Sequence, residues 1–249
     1  MTLRWVPGWN GLTEPEAVSY VAAVEAADNQ ELEFGVARAI NDFVVGCKSD
    51  GIWDAINACC ILAGARTLDG ALVPLVGTAP TNVGDNFVSG DYDRETGLVG
   101  DGSTKYLDSN RADNADPQSN VSICFYSSSS ATGGFIGANT THILDYLYRL
   151  RTGASNAITM SLPGFIGASR TSISTTQYRS GGVTLNFNDP AVSTPGTDTH
   201  LVFARRSAGL VNLPTNARLA FYSIGESLDL AALDTRVTNL ITAIGAAIP

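Results

Sequence analysis

Between residues 13 and 64 the apolar positions recur every three or four residues, the period of an amphipathic helix. Thr13-x-x-Glu16 has the form of a capping box, and Pro15 falls in the first turn, where its missing N–H costs nothing. Val18, Val21 and Val24 follow at helical spacing. Asp28-x-x-Glu31 repeats the capping form and opens a one-sided stripe of Leu32, Val36, Ala39, Ile40, Phe43 and Val44, which Gly46 closes. A third short helix is expected from Asp50 through Trp53 and Ile56 to Leu62, with Gly64 as its C-cap. At the far end of the chain Leu230, Leu233, Val237, Leu240, Ile241, Ile244 and Ile248 share one helical face, behind an N-cap at Ser227 or Asp229. That face needs cover, from the same chain or from copies of itself, because each fully buried aliphatic side chain contributes roughly 1.5–3 kcal/mol.

From about residue 66 to 224 the texture changes. Gly, Ser, Thr, Asn and Pro punctuate short runs of β-branched and aromatic residues. Candidate strands are 121–126, 134–137, 142–149, 157–162, 171–178, 183–187, 200–205 and 217–224. Two of them alternate with period two: Ile123 and Phe125 against Cys124 and Tyr126, and Leu219 and Phe221 against Ala220 and Tyr222. The stretch 96–110, TGLVGDGSTKYLDSN, predicts a strand, a tight Gly turn and a second strand, with Leu98, Val99, Tyr106 and Leu107 inward. Many short strands with regular turns predict a sandwich. The expected organisation is a helical docking or oligomerisation segment over 1–64, then a sandwich with a C-terminal helix over 65–249.

Composition narrows the function. The 249 residues carry 24 acidic and 15 basic side chains, a net charge of −9. Nucleic-acid binding needs a basic stripe, and Arg149, Arg151, Arg205 and Arg206 form only scattered small groups. Mean hydropathy is +0.08, and no apolar run reaches the roughly 18–20 residues of a membrane span. Residues 1–11 lack the pattern of a secretory signal, so synthesis in a cytoplasm is expected. Cys47, Cys59, Cys60 and Cys124 show no C-x-x-C spacing, and His142 and His200 are the only histidines. Buried, reduced thiols are therefore expected rather than a zinc site. The vicinal pair Cys59–Cys60 falls in the stretch read as helical.

Three segments carry a family resemblance. Asp50-Gly51-Ile52-Trp53-Asp54-Ala55-Ile56 with the following Cys60–Ala65, the Gly97–Leu107 stretch, and Ala217–Leu228 with the terminal helix resemble, in that order, parts of a concanavalin-like (laminin-G-like) sandwich protein of phage or phage-like particles. Gly164–Arg170 fits the arginine-serine strand of that family. The resemblance covers about residues 50–249. It implies a mainly β chain, a concanavalin-like jelly-roll sandwich with an N-terminal helical segment and a C-terminal helix. It implies a virion component such as a tail fibre, head spike or decoration protein, made in the host cytoplasm. The implied partners are other virion proteins and host-surface polysaccharide. A homo-oligomer is implied, a trimer being one form, with neither nucleic acid nor membrane insertion. A ligand-free decoration or connector protein and a glycan-active enzyme are the alternatives.

Candidate chemistry is sparse. A glycosidase needs two close carboxylates, and no E-x-D-x-E run is present. Glu226 and Asp229 stand at a helix start, where acids suit the dipole. No G-x-S-x-G or phosphate loop appears, so no catalytic residue is assigned and the chain is read as a non-enzyme. Asp91, Asp93, Glu95, Asp101, Asp108, Asp113 and Asp116 crowd a loop-rich region. Calcium favours such loop carboxylates and laminin-G-like folds sometimes hold it; a solvated acidic face is the alternative reading, and no metal ligand set is assigned. A sugar site wants an aromatic ring beside planar polar groups. Tyr178 with Arg179 is the candidate carbohydrate-binding pair, and Tyr92-Asp93, Trp5 and Trp9 are further aromatic candidates.

Overall fold

The computed structural model describes residues 11–139, 142–144, 149–150, 159–188, 190 and 194–249. These residues form a mainly β structure with antiparallel sheets and four α-helices. In chain order, α1 (Pro15–Asp28) and α2 (Phe34–Ser49) precede β1 (Ile56–Ile61), the short α3 (Leu68–Ala71) and β2 (Pro74–Val76). Next come β3 (Thr81–Asn82), β4 (Tyr92–Asp93), β5 (Gly97–Val99), β6 (Leu107–Ala112), β7 (Val121–Ser127), β8 (Ile136–Asn139), β9 (His142–Leu144) and β10 (Arg149–Leu150). Then β11 (Gly164–Arg170), β12 (Thr175–Ser180), β13 (Val183–Asn188), β14 (Thr199–Val202), β15 (Arg205–Ser207), β16 (Leu210–Asn212) and β17 (Arg218–Gly225) lead to α4 (Leu230–Ala247).

The larger sheet runs β13-β12-β11-β7-β17-β1-β2, with β5 beside β17 and β4 beside β5. The second runs β10-β9-β8-β14-β6-β3, and β15 and β16 form a separate hairpin. Side chains alternate across the larger sheet and so build two cores. Ala58 and Cys60 of β1, Ile123 and Phe125 of β7, and Leu219, Tyr222 and Ile224 of β17 share one apolar cluster with Leu107, Ile136 and Val202 of the second sheet. Phe125 stacks on Phe135 there at 4.6 Å, nearly parallel. On the opposite face Cys59, Ile61, Cys124, Phe165 and Phe221 meet the helices. The stripe Val36, Ile40, Phe43 and Val44 of α2 and the stripe Leu233, Val237, Leu240 and Ile244 of α4 lie in that cluster, and Phe43 sets its ring edge against Phe221 at 5.8 Å. The terminal helix is thus covered by its own chain. Asp229 caps it, accepting from the N–H groups of Ala231 and Ala232.

Several expectations need correction. Residues 56–61 form β1, not a helix, after a single 3-10 turn at Trp53–Ala55. The run is apolar because both faces of β1 are buried, and a continuous apolar run has no period to separate strand from helix. Cys59 and Cys60 consequently point to opposite cores. Neither capping box forms. Thr13 donates its N–H to Asn41 Oδ1, and Glu16 pairs with Lys48. Asp28 ends α1 instead of starting a helix, and α2 begins at Phe34 and runs on to Ser49. The 96–110 segment is no hairpin: β5 pairs with β17 in one sheet and β6 joins β14 and β3 in the other. Gly97 permits this crossing, with φ of 98° and a position where a Cβ would stand 2.1 Å from the Leu219 carbonyl oxygen. In β17 a register shift between Leu219 and Phe221 breaks the expected alternation, so Phe221 faces the helices and Tyr222 shares the face of Leu219. Of the expected strand 157–162, residues 159–162 are not strand, and 157–158 lie outside the described residues.

Asp28 holds the helical layer to the sheet. Its buried carboxylate accepts from the Arg66 N–H at 2.6 Å, the Thr67 N–H at 2.9 Å and the Thr67 hydroxyl at 2.6 Å. Asp28→Ala leaves those donors without an acceptor and lowers stability by about 2–3 kcal/mol in urea denaturation. Arg38→Ala breaks only the exposed Arg38–Asp42 pair and shifts stability by less than about 0.5 kcal/mol.

Candidate functional site

Tyr178 and Arg179 are neighbours on β12 and therefore point to opposite faces of the sheet. Tyr178 is 1% exposed and meets Phe187 edge-on at 5.5 Å inside the core. It presents no ring face to a sugar. Arg179 donates from Nε to Asp234 of α4 at 2.7 Å and from Nη1 to the Thr184 hydroxyl at 2.9 Å, fastening the terminal helix to the sheet. The expected stacking pair is therefore not assembled. Tyr92 donates its hydroxyl to the Ala65 carbonyl, which ties β4 to the loop after β1. Trp5 and Trp9 lie outside the described residues.

The acidic loop residues divide among separate partners. Asp91 pairs with Lys105 at 2.6 Å, Asp108 with Arg206 at 2.8 Å, and Asp116 with Arg111. Asp93 accepts from Glu95 and Thr96, and Asp101 from Ser103, Thr104 and Lys105, each closing its own turn. Burial works to raise the Asp101 carboxyl, but those donors outweigh it and hold the group well below the usual carboxylate range. Buried Asp113 accepts from Asn139 and the Gly196 N–H, with His200 Nε2 at 3.9 Å. Glu95 is exposed. Among the described residues no three of His, Cys, Asp and Glu gather as metal ligands. Glu226 accepts from Asn120 rather than capping α4. His200 is buried and sets Nδ1 3.1 Å from the Arg111 carbonyl oxygen, and His142 lies in β9.

A different surface brings an aromatic ring together with charge. Lys48, in the last turn of α2, donates to Glu14 at 2.6 Å and to Glu16 at 2.7 Å, both at the start of α1. Its ammonium stands 5.9 Å from the centre of the Trp53 ring. Trp53 is half-buried, with its body against the helical core and Asp54 exposed beside it. Glu16, Lys48, Gly51, Trp53 and Asp54 line a depression of about 330 Å³. A second depression of about 430 Å³ shares Glu16 and continues along Ser19, Tyr20, Pro74 and Leu75. The bonds to Glu14 and Glu16 raise the Lys48 pKa, and the Lys48 bond lowers that of Glu16, so Lys48 and Glu16 favour their charged forms together. The surface offers carboxylate acceptors, an ammonium donor and a half-buried indole, the groups that bind hydroxyl-rich ligands. The Asp50-Gly51 dipeptide marks a turn and was the signal that Trp53 leaves the helical pattern.

No protein-family model matches the chain, and no curated protein matches it. No described helix is long and apolar enough to cross a membrane.

The four cysteines are free and buried. Burial pushes the thiols of Cys47 and Cys124 up to about 12. Below about pH 8.5 folded and unfolded chains both hold these protons. Between there and about 12 only the unfolded chain releases them, so stability falls as pH rises through that window. A thiol titration is expected to find none of the four reactive at pH 8 in the native protein and all four in guanidinium.

Proposed function

We propose that the chain is a structural component of a phage or phage-like virion, a concanavalin-like jelly roll that binds host-surface carbohydrate through the Trp53 depression. The jelly-roll reading is supported by two antiparallel sheets that share one apolar core. The carbohydrate reading is carried by one observation: a half-buried indole beside Glu16, Lys48 and Asp54 in a surface depression. A pyranose ring lays its C–H face on an aromatic ring while its hydroxyls bond to charged acceptors and donors. The second depression, reached through Glu16, gives room for further sugar units of a polymer. Host polysaccharide and other virion proteins are the partners of this reading. A ligand-free decoration or connector role is the second reading, and the uncharged strand β13 at the sheet edge favours it.

Purified protein is expected to bind an array of bacterial surface polysaccharides. Trp53→Ala is expected to lower the affinity by about tenfold, equivalent to about 1.4 kcal/mol. Asp54→Asn, at an exposed position, tests the same surface without touching the core. Absence of binding to every polysaccharide by folded wild-type protein would overturn the carbohydrate reading and leave the connector role.

A further inference from the structure

The two ends of the larger sheet are finished differently. β2 is three residues long, begins at Pro74 and breaks register against β1 between Cys59 and Cys60. Shortness, proline and irregular pairing are the devices that keep an edge from adding strands. β13, at the other end, has six residues, VTLNFN, with no proline and no charge, and pairs with β12 without a register shift. Among the described residues no strand lies on its outer side.

The turn before β13 decides which peptide groups are free. Gly181 and Gly182 both have positive φ, 56° and 77°, as a two-residue hairpin turn requires. Ser180 stands opposite Val183 as the closing hydrogen-bonded pair. Val183, Leu185 and Phe187 therefore direct their N–H and C=O groups to β12, and those of Thr184, Asn186 and Asn188 point outward. The side chains sort the same way: Val183, Leu185 and Phe187 lie on the face of Tyr178, and the three polar residues on the other. Val183 is 57% exposed and Leu185 42%.

We propose that β13 is a docking edge for a second copy of this chain, joined antiparallel to its own symmetry mate about a two-fold axis at Asn186. In this register Asn186 faces Asn186, Leu185 faces Phe187 and Thr184 faces Asn188, so apolar side chains meet apolar ones and polar meet polar. The three outward residues each exchange two hydrogen bonds with the mate. A second copy fits because the alternation is self-complementary under a two-fold axis. The chain carries a net charge of −9, yet this pairing brings no like charges face to face. It joins two sheets into one and draws Leu185 and Phe187 together across the seam. The interface is independent of what the Trp53 depression binds.

Sedimentation equilibrium of the full chain tests it, with Asn186→Lys, Asn186→Glu and their equimolar mixture. Wild type is expected to dimerise, or to contain this dimer within a larger assembly. Each variant alone places like charges at the axis and weakens association at least about tenfold, and mixing the two restores it. Asn186 is exposed, and circular dichroism checks that both variants keep the fold. As a second readout, Asn186→Cys is expected to form a disulfide-linked dimer on mild oxidation, since the facing Cα atoms of such a pair stand about 5.5 Å apart. The native cysteines are buried and do not compete. A monomeric wild type at about 100 µM, or an oligomer that neither charge variant weakens, would overturn the proposal.

Discussion

β17 is buried from Leu219 to Gly225 and hydrogen-bonds to β7 on one side and β1 on the other. Its side chains enter both cores, Phe221 beneath the helices and Leu219, Tyr222 and Ile224 against the second sheet. The partner strands come from distant parts of the chain, so β17 closes long loops, and closing them costs entropy before any contact forms. That cost is offset by placing apolar residues on both faces of one strand. The register shift at Leu219–Phe221 lets a single strand serve two surfaces that do not share one period.

The charged side chains brace this frame from outside. Glu33 binds Arg66 and Arg94, Asp50 holds Arg236, and Asp234 holds Arg179. Each joins segments far apart in sequence. These pairs are only partly buried, so water screens them and each contributes modestly; their main effect is positional. They fix α4 against α2 and against β12, and Lys48 fixes the start of α1 against the end of α2 by the same means. The Trp53 depression exists because that last clamp holds the charged groups beside the indole. The depression is thus a by-product of how the helical layer is tied down.

The helices at both ends of the chain were legible in the sequence because one face of each is buried and the other wet, which leaves a period of three to four residues. α4 and its Asp229 cap follow directly from that pattern. The strand texture between them was legible too, and β7, β13 and most of β17 fall within a residue or two of the runs that marked them. β1 was not, because burial on both faces erases the period that tells a strand from a helix. The sugar-stacking expectation failed at Tyr178 and Arg179 for the opposite reason: adjacency in sequence places two strand residues on opposite faces, so one went to the core and the other to Asp234. Local pattern therefore determined most of the helical and extended segments, but not β1 or the exchange of faces along β17. The tertiary structure alone decided that residues 96–110 cross between sheets, that Asp28 serves as an acceptor for Arg66 and Thr67, and that Trp53 meets Lys48. Those outcomes depend on contacts between residues far apart in the chain, and a short-range period carries no information about them.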